Sequence, residues 1–108
     1  MTHNRDSNGI ERVIVHVDEK LAILIPGFLD NRHEDVKALN EALTAGDYET
    51  IHRLGHSMKG SGGGYGFRGV SEIGESLEIA GKENEDEAIR KCLAELEYYL
   101  EVVEVEYE

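Results

Sequence analysis

His56 and Lys59 are the residues of this chain best placed to do chemistry. They sit in "GHSMKGSGGGYGF" (residues 55–67), where six of thirteen residues are glycine, half of the twelve in the whole sequence. Tyr48, Ile51, Gly55, Met58, Gly62 and Tyr65 step by three and four without a break, which is one face of a helix running through the glycines. At about 100° per residue, His56 lies roughly 130° from the mean direction of that seam and so points to solvent. His52 one turn before it, Lys59 and Gly60 one turn after, and Gly63 two turns after share the open face. Gly55 and Gly62 fall on the seam, where they permit close helix approach. Each interior glycine weakens a helix by roughly 0.5–1 kcal/mol relative to alanine. Tertiary packing must therefore hold this segment, or its C-terminal end must fray.

A neutral imidazole is a good nucleophile, and histidine ordinarily supplies that form near neutral pH. If His56 accepts a phosphoryl group, the ammonium of Lys59 can offset the added charge. The absent side chains at Gly60 and Gly63 would let another protein's active site approach the ring. Lys59 precedes the glycines, so the "GxxxxGK[ST]" order of a phosphate-binding loop is missing. Nor is there a second catalytic group of the kind a self-sufficient phosphotransferase needs. The catalytic metal and carboxylates are expected from a partner.

Two rival readings use the same residues. Glu49, His52 and His56 contain a Glu-x-x-His element of the kind di-iron bundles use, but such sites need a second copy and inward carboxylates. This chain has one copy, on an outward face. A non-catalytic interaction bundle explains Gly55 and Gly62 but leaves His56, Lys59 and Gly60 unexplained. His3, His16 and His33 read as ordinary surface residues.

The elements that must position His56 are helices. A chain of 108 residues with 40% hydrophobic and 31% charged content suits one soluble domain. Its net charge of −12 argues against nucleic acid and favours a protein partner. No run of apolar residues is long enough to span a membrane, and the polar start does not read as a secretory signal. Cys92 has no disulfide partner, which is compatible with the cytosol.

Residues 1–9 read as a disordered tail, and "VIVHV" (13–17) as an extended arm laid on the body of the domain. Asp18 caps a short lead helix to about Ile25, and a second helix runs from about Pro26 to Ala45 with Leu29, Val36, Leu39 and Leu43 on its buried stripe. Gly46 suits the position past its end, and Asp47 caps the helix that carries His56. Val70, Ile73, Leu77 and Ala80 form a shorter stripe closed by Gly81. Asn84 with Glu87 resembles a capping box for the last helix. There Ile89, Leu93, Leu96, Leu100, Val103 and Tyr107 repeat at three and four. The acidic residues of that helix read as its solvated side, Tyr98, Tyr99 and Tyr107 as core or boundary, and Cys92 as semi-buried. The expected fold is all-α: an up-and-down antiparallel four-helix bundle over residues 18–108, with a short lead helix, preceded by a tail and extended arm over residues 1–17.

With "HSMKGSGGGYG" (56–66) in the third helix of such a bundle, the sequence resembles the histidine-containing phosphotransfer (Hpt) domain of bacterial phosphorelays. That family carries H-x-[LM]-K-G-[SAT], a few small residues, then an aromatic or leucine before glycine. The likeness extends to the preceding "LTAGDYETIHRLG" and the following "EIGESLE", and in layout over roughly residues 18–107. It implies that His56 is the phosphoacceptor, Lys59 the basic residue beside the phosphate, and Gly60 the residue that clears access. It implies response-regulator receiver domains and a sensor (hybrid) histidine kinase as partners, with Mg2+ and the aspartate held by the receiver and no cofactor bound by this chain. A cytoplasmic monomer that carries phosphate without being an enzyme in its own right is the expectation. Gly63 and His52 are expected to border the approach to His56, and Tyr48, Leu54 and Phe67 are candidates for an apolar docking patch.

Overall fold

The computed structural model describes the backbone of residues 2–5 and the whole of residues 11–108. Four helices follow one another: α1 (Ile25–Ala45), α2 (Tyr48–Tyr65), α3 (Arg68–Lys82) and α4 (Asp86–Val102). The connections are as short as antiparallel neighbours require. Gly46 takes the left-handed conformation (φ 67°) that ends α1, and the Asp47 carboxylate accepts from the Thr50 amide to start α2. Gly66 (φ 85°) ends α2 in the same way, and the Phe67 amide closes back on the Gly62 carbonyl at 2.7 Å.

The expected bundle is therefore present, and its seams are the expected ones in α2, α3 and most of α4. Ile51, Met58, Val70, Leu77, Ile89 and Leu96 are fully buried. In α1 the buried stripe is turned slightly from the expected line. Ile25, Phe28, Arg32, Leu39 and Ala42 are buried, while Leu29, Val36 and Leu43 are only partly so. Cys92 and Tyr99 lie in the core, whereas Tyr98 and Tyr107 are exposed. Burial pushes both the Cys92 thiol and the Tyr99 phenol up from their ordinary values.

The two ends of the chain depart from the reading above. The lead helix is a single 3-10 turn, Glu19–Leu21, although Asp18 does accept from the Lys20 amide at its start. The arm is a strand, β2 (Glu11–Val17), and the last helix stops at Val102 instead of reaching Tyr107. Residues Val103–Tyr107 form a further strand, β3, paired parallel to β2 with Val13 opposite Val103 and Val17 opposite Tyr107. Thr2–Arg5 (β1) pair antiparallel on the other side of β2. The other residues of the expected 1–9 tail lie outside the described residues. "VEVEY" satisfies period two as well as period 3.6, and the β-branched "VIVHV" offers it a partner. Val13, Val15 and Val17 bury their side chains in the same core as the helices, while His16 faces outward, its Nδ1 2.6 Å from a Glu108 carboxylate oxygen. A minor sheet thus closes one flank of a helical bundle.

Two smaller signals also resolve differently. Asn84 adopts a left-handed conformation (φ 55°) and is no N-cap; Glu85 holds that position without a side-chain bond. Gly81 does not end α3, which runs on to Lys82. It is buried against the backbone of α2, where an added Cβ would stand 2.7 Å from the His52 amide nitrogen.

Candidate phosphotransfer site

The position of His56 follows from how closely α2 and α3 approach. Four glycines, two per helix and seven residues apart on each, make this a backbone-to-backbone seam. A Cβ at Gly55 would meet the Glu78 amide at 2.4 Å, and one at Gly62 the Ser71 amide at 2.6 Å. From the other side, a Cβ at Gly74 would meet the Lys59 amide at 2.5 Å. None of these separations admits a side chain. The helix survives its glycines because this packing holds it, and α2 runs unbroken to Tyr65. Two side-chain bonds pin the segment beyond His56. The Ser71 hydroxyl donates to the Lys59 carbonyl at 2.9 Å, and Arg32 of α1 donates to the Ser61 hydroxyl at 2.8 Å. Arg32 also donates to Asp35 at 2.8 Å and lies over the Phe28 ring, which anchors it in the α1–α2 contact.

His56 stands on the open face of α2 with its side chain 73% exposed. Its Nδ1–H donates to a Glu78 carboxylate oxygen at 2.7 Å. An ionised carboxylate only accepts, so this bond fixes the neutral ring with its proton on Nδ1 and its lone pair on Nε2. The hydrogen bond from His56, aided by the nearby charge of Lys59, holds the Glu78 carboxyl below its usual range. One turn earlier, the His52 Nδ1–H donates to the main-chain carbonyl of the same Glu78 at 2.9 Å. Lys59 places its ammonium 3.6 Å from Glu75 and 3.9 Å from Glu78, held loosely between the two. A Cβ at Gly60 would meet nothing within 4 Å, and one at Gly63 only the Ser71 hydroxyl at 3.8 Å. His52, His56, Lys59, Gly60 and Gly63 are thus gathered along one edge of the α2–α3 seam.

The apolar residues suggested for docking are fully or partly buried. Phe67 is fully buried and packs on Phe28, with ring centroids 4.8 Å apart. Tyr48 is half-buried and donates its hydroxyl to Asp86, and Leu54 is half-buried against the core. Ile79, the residue after Glu78 on α3, carries an exposed apolar side chain.

Glu78 escaped sequence reasoning because it comes from a different helix. Its signal was Gly55 and Gly74 together, which bring α3 within backbone contact of α2 and so bring residue 78 to the imidazole. Among the described residues no group of three or more histidine, cysteine, aspartate or glutamate side chains is arranged to hold a metal ion, and no helix is long and apolar enough to cross a membrane.

The chain matches the family model described as the Hpt domain over residues 24–106, which covers all four helices. Comparison with curated proteins and with solved structures gives no match. The family match spans well over half of the chain. The chain belongs to the Hpt domain family, whose members carry phosphoryl groups on histidine in phosphorelays and are in general carriers, not catalysts.

Proposed function

We propose that His56 is the phosphoacceptor, taking a phosphoryl group from a receiver aspartate or a histidine kinase and passing it to a response-regulator receiver. One observation carries this reading: the bond from Nδ1 to Glu78 leaves the Nε2 lone pair directed away from α3 on a ring that is 73% exposed. In the forward step Nε2 attacks the phosphorus of an aspartyl phosphate. The N–P bond forms as the O–P bond breaks, and the aspartate leaves as a carboxylate. The imidazolium that results keeps its proton on Nδ1, hydrogen-bonded to the Glu78 carboxylate, whose negative charge stabilises it. The reverse step returns the phosphoryl group to another receiver and restores the neutral ring.

Lys59 is the phosphate-stabilising residue. Its ammonium lies in loose pairs with Glu75 and Glu78, so turning to a phosphoryl oxygen exchanges one weak exposed ion pair for a stronger charge-assisted contact. Gly60 and Gly63 leave space for the partner's active-site loops, His52 borders the approach, and Ile79, next to Glu78 on α3, offers an exposed apolar contact. The receiver supplies the Mg2+ and the aspartate, and this chain contributes no cofactor to the transfer. We read it as a cytoplasmic monomer and not an enzyme in its own right. Its partners are receiver domains and a sensor (hybrid) histidine kinase, and a net charge of −12 sets it against nucleic acid.

The test is to mix the protein with a phosphorylated receiver and Mg2+ and assay for acid-labile, base-stable phosphate. Label is expected on the wild type and not on His56→Gln, with both equally folded by circular dichroism. Label retained on the variant refutes the assignment.

A further inference from the structure

We propose that His52 and His56 together form a surface site for a single zinc ion, and that zinc held there competes with the phosphoryl group for His56. The two rings stand at i and i+4 on one helix face, the spacing at which paired histidines chelate zinc in metalloprotease helices. More telling is what holds them. Metal-binding histidines donate their second ring nitrogen to a carboxylate or a main-chain carbonyl, which fixes the tautomer and the ring direction. Here one residue of α3 serves both rings: the Glu78 carbonyl accepts from His52 Nδ1 at 2.9 Å, and its carboxylate accepts from His56 Nδ1 at 2.7 Å. Both Nε2 atoms are left as lone-pair donors. A merely solvated histidine pair has no need of that arrangement, and phosphoryl acceptance alone requires it of His56 only.

The donor chemistry selects the ion. Two imidazole nitrogens suit zinc, nickel or copper, whereas Mg2+ and Ca2+ take oxygen ligands. The Mg2+ of a receiver would therefore not fill the site. Among the described residues no third side chain closes it, so water completes the coordination and the ion remains exchangeable. Glu78 and Glu75 bring negative charge to this edge, and Lys59 opposes it with one positive charge. Zinc needs the same Nε2 lone pair that attacks phosphorus, so occupancy and phosphorylation exclude each other. That inhibitory consequence rests on His56 being the phosphoacceptor; the binding itself does not.

The experiment titrates the full-length protein with Zn2+ alone, in a non-chelating buffer with excess Mg2+, and follows the histidine ring signals by NMR. The His52 and His56 signals are expected to shift together and saturate at one ion. His52→Ala and His56→Gln should each abolish this step, and Glu78→Gln should weaken it by about tenfold or more. Binding that persists unchanged in His52→Ala, for instance at His16 with Glu106 and Glu108, overturns the proposal, as does no shift of the two rings at any zinc concentration that leaves the protein soluble. With a phosphodonor added, zinc should slow labelling of the wild type far more than that of His52→Ala, each compared with its own zinc-free rate. Equal slowing removes the competition. Because binding is read without any donor, failure of phosphotransfer and failure of the zinc site give different results.

Discussion

Replacing Gly74 by alanine tests whether the α2–α3 seam sets the geometry at His56. The new Cβ would stand 2.5 Å from the Lys59 amide nitrogen and 2.8 Å from the Gly55 carbonyl oxygen, against an ordinary contact of 3.4 Å or more. Both obstacles are backbone, so no rotamer change relieves them, and the helices must part by about 0.9 Å at this level. Carried one turn along the seam, the same opening stretches the 2.7 Å bond from His56 to Glu78 to about 3.6 Å, where it no longer counts as a hydrogen bond. Overpacking of this kind costs about 1–3 kcal/mol, and the rigid neighbours place Gly74→Ala at the upper end. Better helix propensity returns about 0.5–1 kcal/mol. The net loss of about 2 kcal/mol corresponds to a Tm lowered by about 8–16 °C for a domain of this size. Gly60→Ala is the control: nothing stands within 4 Å of its added Cβ, so it should stabilise by about 0.5–1 kcal/mol. Urea unfolding gives the energies, and NMR of the His56 Nδ1 proton reports the bond to Glu78. A Gly74→Ala protein as stable as the wild type, with that bond intact, would refute the reasoning.

Gly60→Leu should slow phosphoryl transfer from a receiver more than from a small phosphodonor, since only the receiver needs the cleared face; equal slowing would remove its steric role. Val15→Ala in β2 should destabilise the whole bundle by about 2 kcal/mol, from two buried methyl groups and the cavity they leave. A shift within experimental error in urea unfolding would mean that the sheet is an ornament on an independent bundle. Glu78 has its carboxyl lowered chiefly by the hydrogen bond from His56, so its contribution to stability is complete above the ordinary value of 4.5 and lost as pH falls through the lowered one. The stability gap between wild type and Glu78→Gln should therefore narrow only on the acid side of that value. A gap unchanged to the acid limit of folding would argue that the bond does not form.

The helices were legible because their signals are local. Asp47 caps α2 and Gly46 ends α1 by rules that involve only their near neighbours, and the seam from Tyr48 to Tyr65 survives its glycines. What was hidden depended on distant partners. Val103 and Tyr107 continue the spacing of α4, and only the presence of Val13–Val17 alongside them makes strand the better solution. Gly81 has the look of a helix stop, yet its role is set by the His52 backbone on another helix. Glu78 sits in an acidic run with nothing to distinguish it until the glycine seam brings it to two histidines at once. At the site, the exposed histidine face was readable from periodicity, while the residue that orients the ring was not.

The parallel pairing of β2 with β3 has a consequence for the order in which the protein is made. Val13 and Val103 are partners although almost the entire chain lies between them. During synthesis β2 is made long before β3, and the edge it offers to β3 stays unpaired until residues 103–107 follow. The helical hairpins can form meanwhile from local contacts, but the loop that joins the two strands closes last and bears the largest entropic cost. During that interval "VIVHV" is an open edge, the kind of segment that pairs with other chains. Chaperone contacts during synthesis should therefore concentrate on Glu11–Val17 and end once Val103–Tyr107 can pair with them.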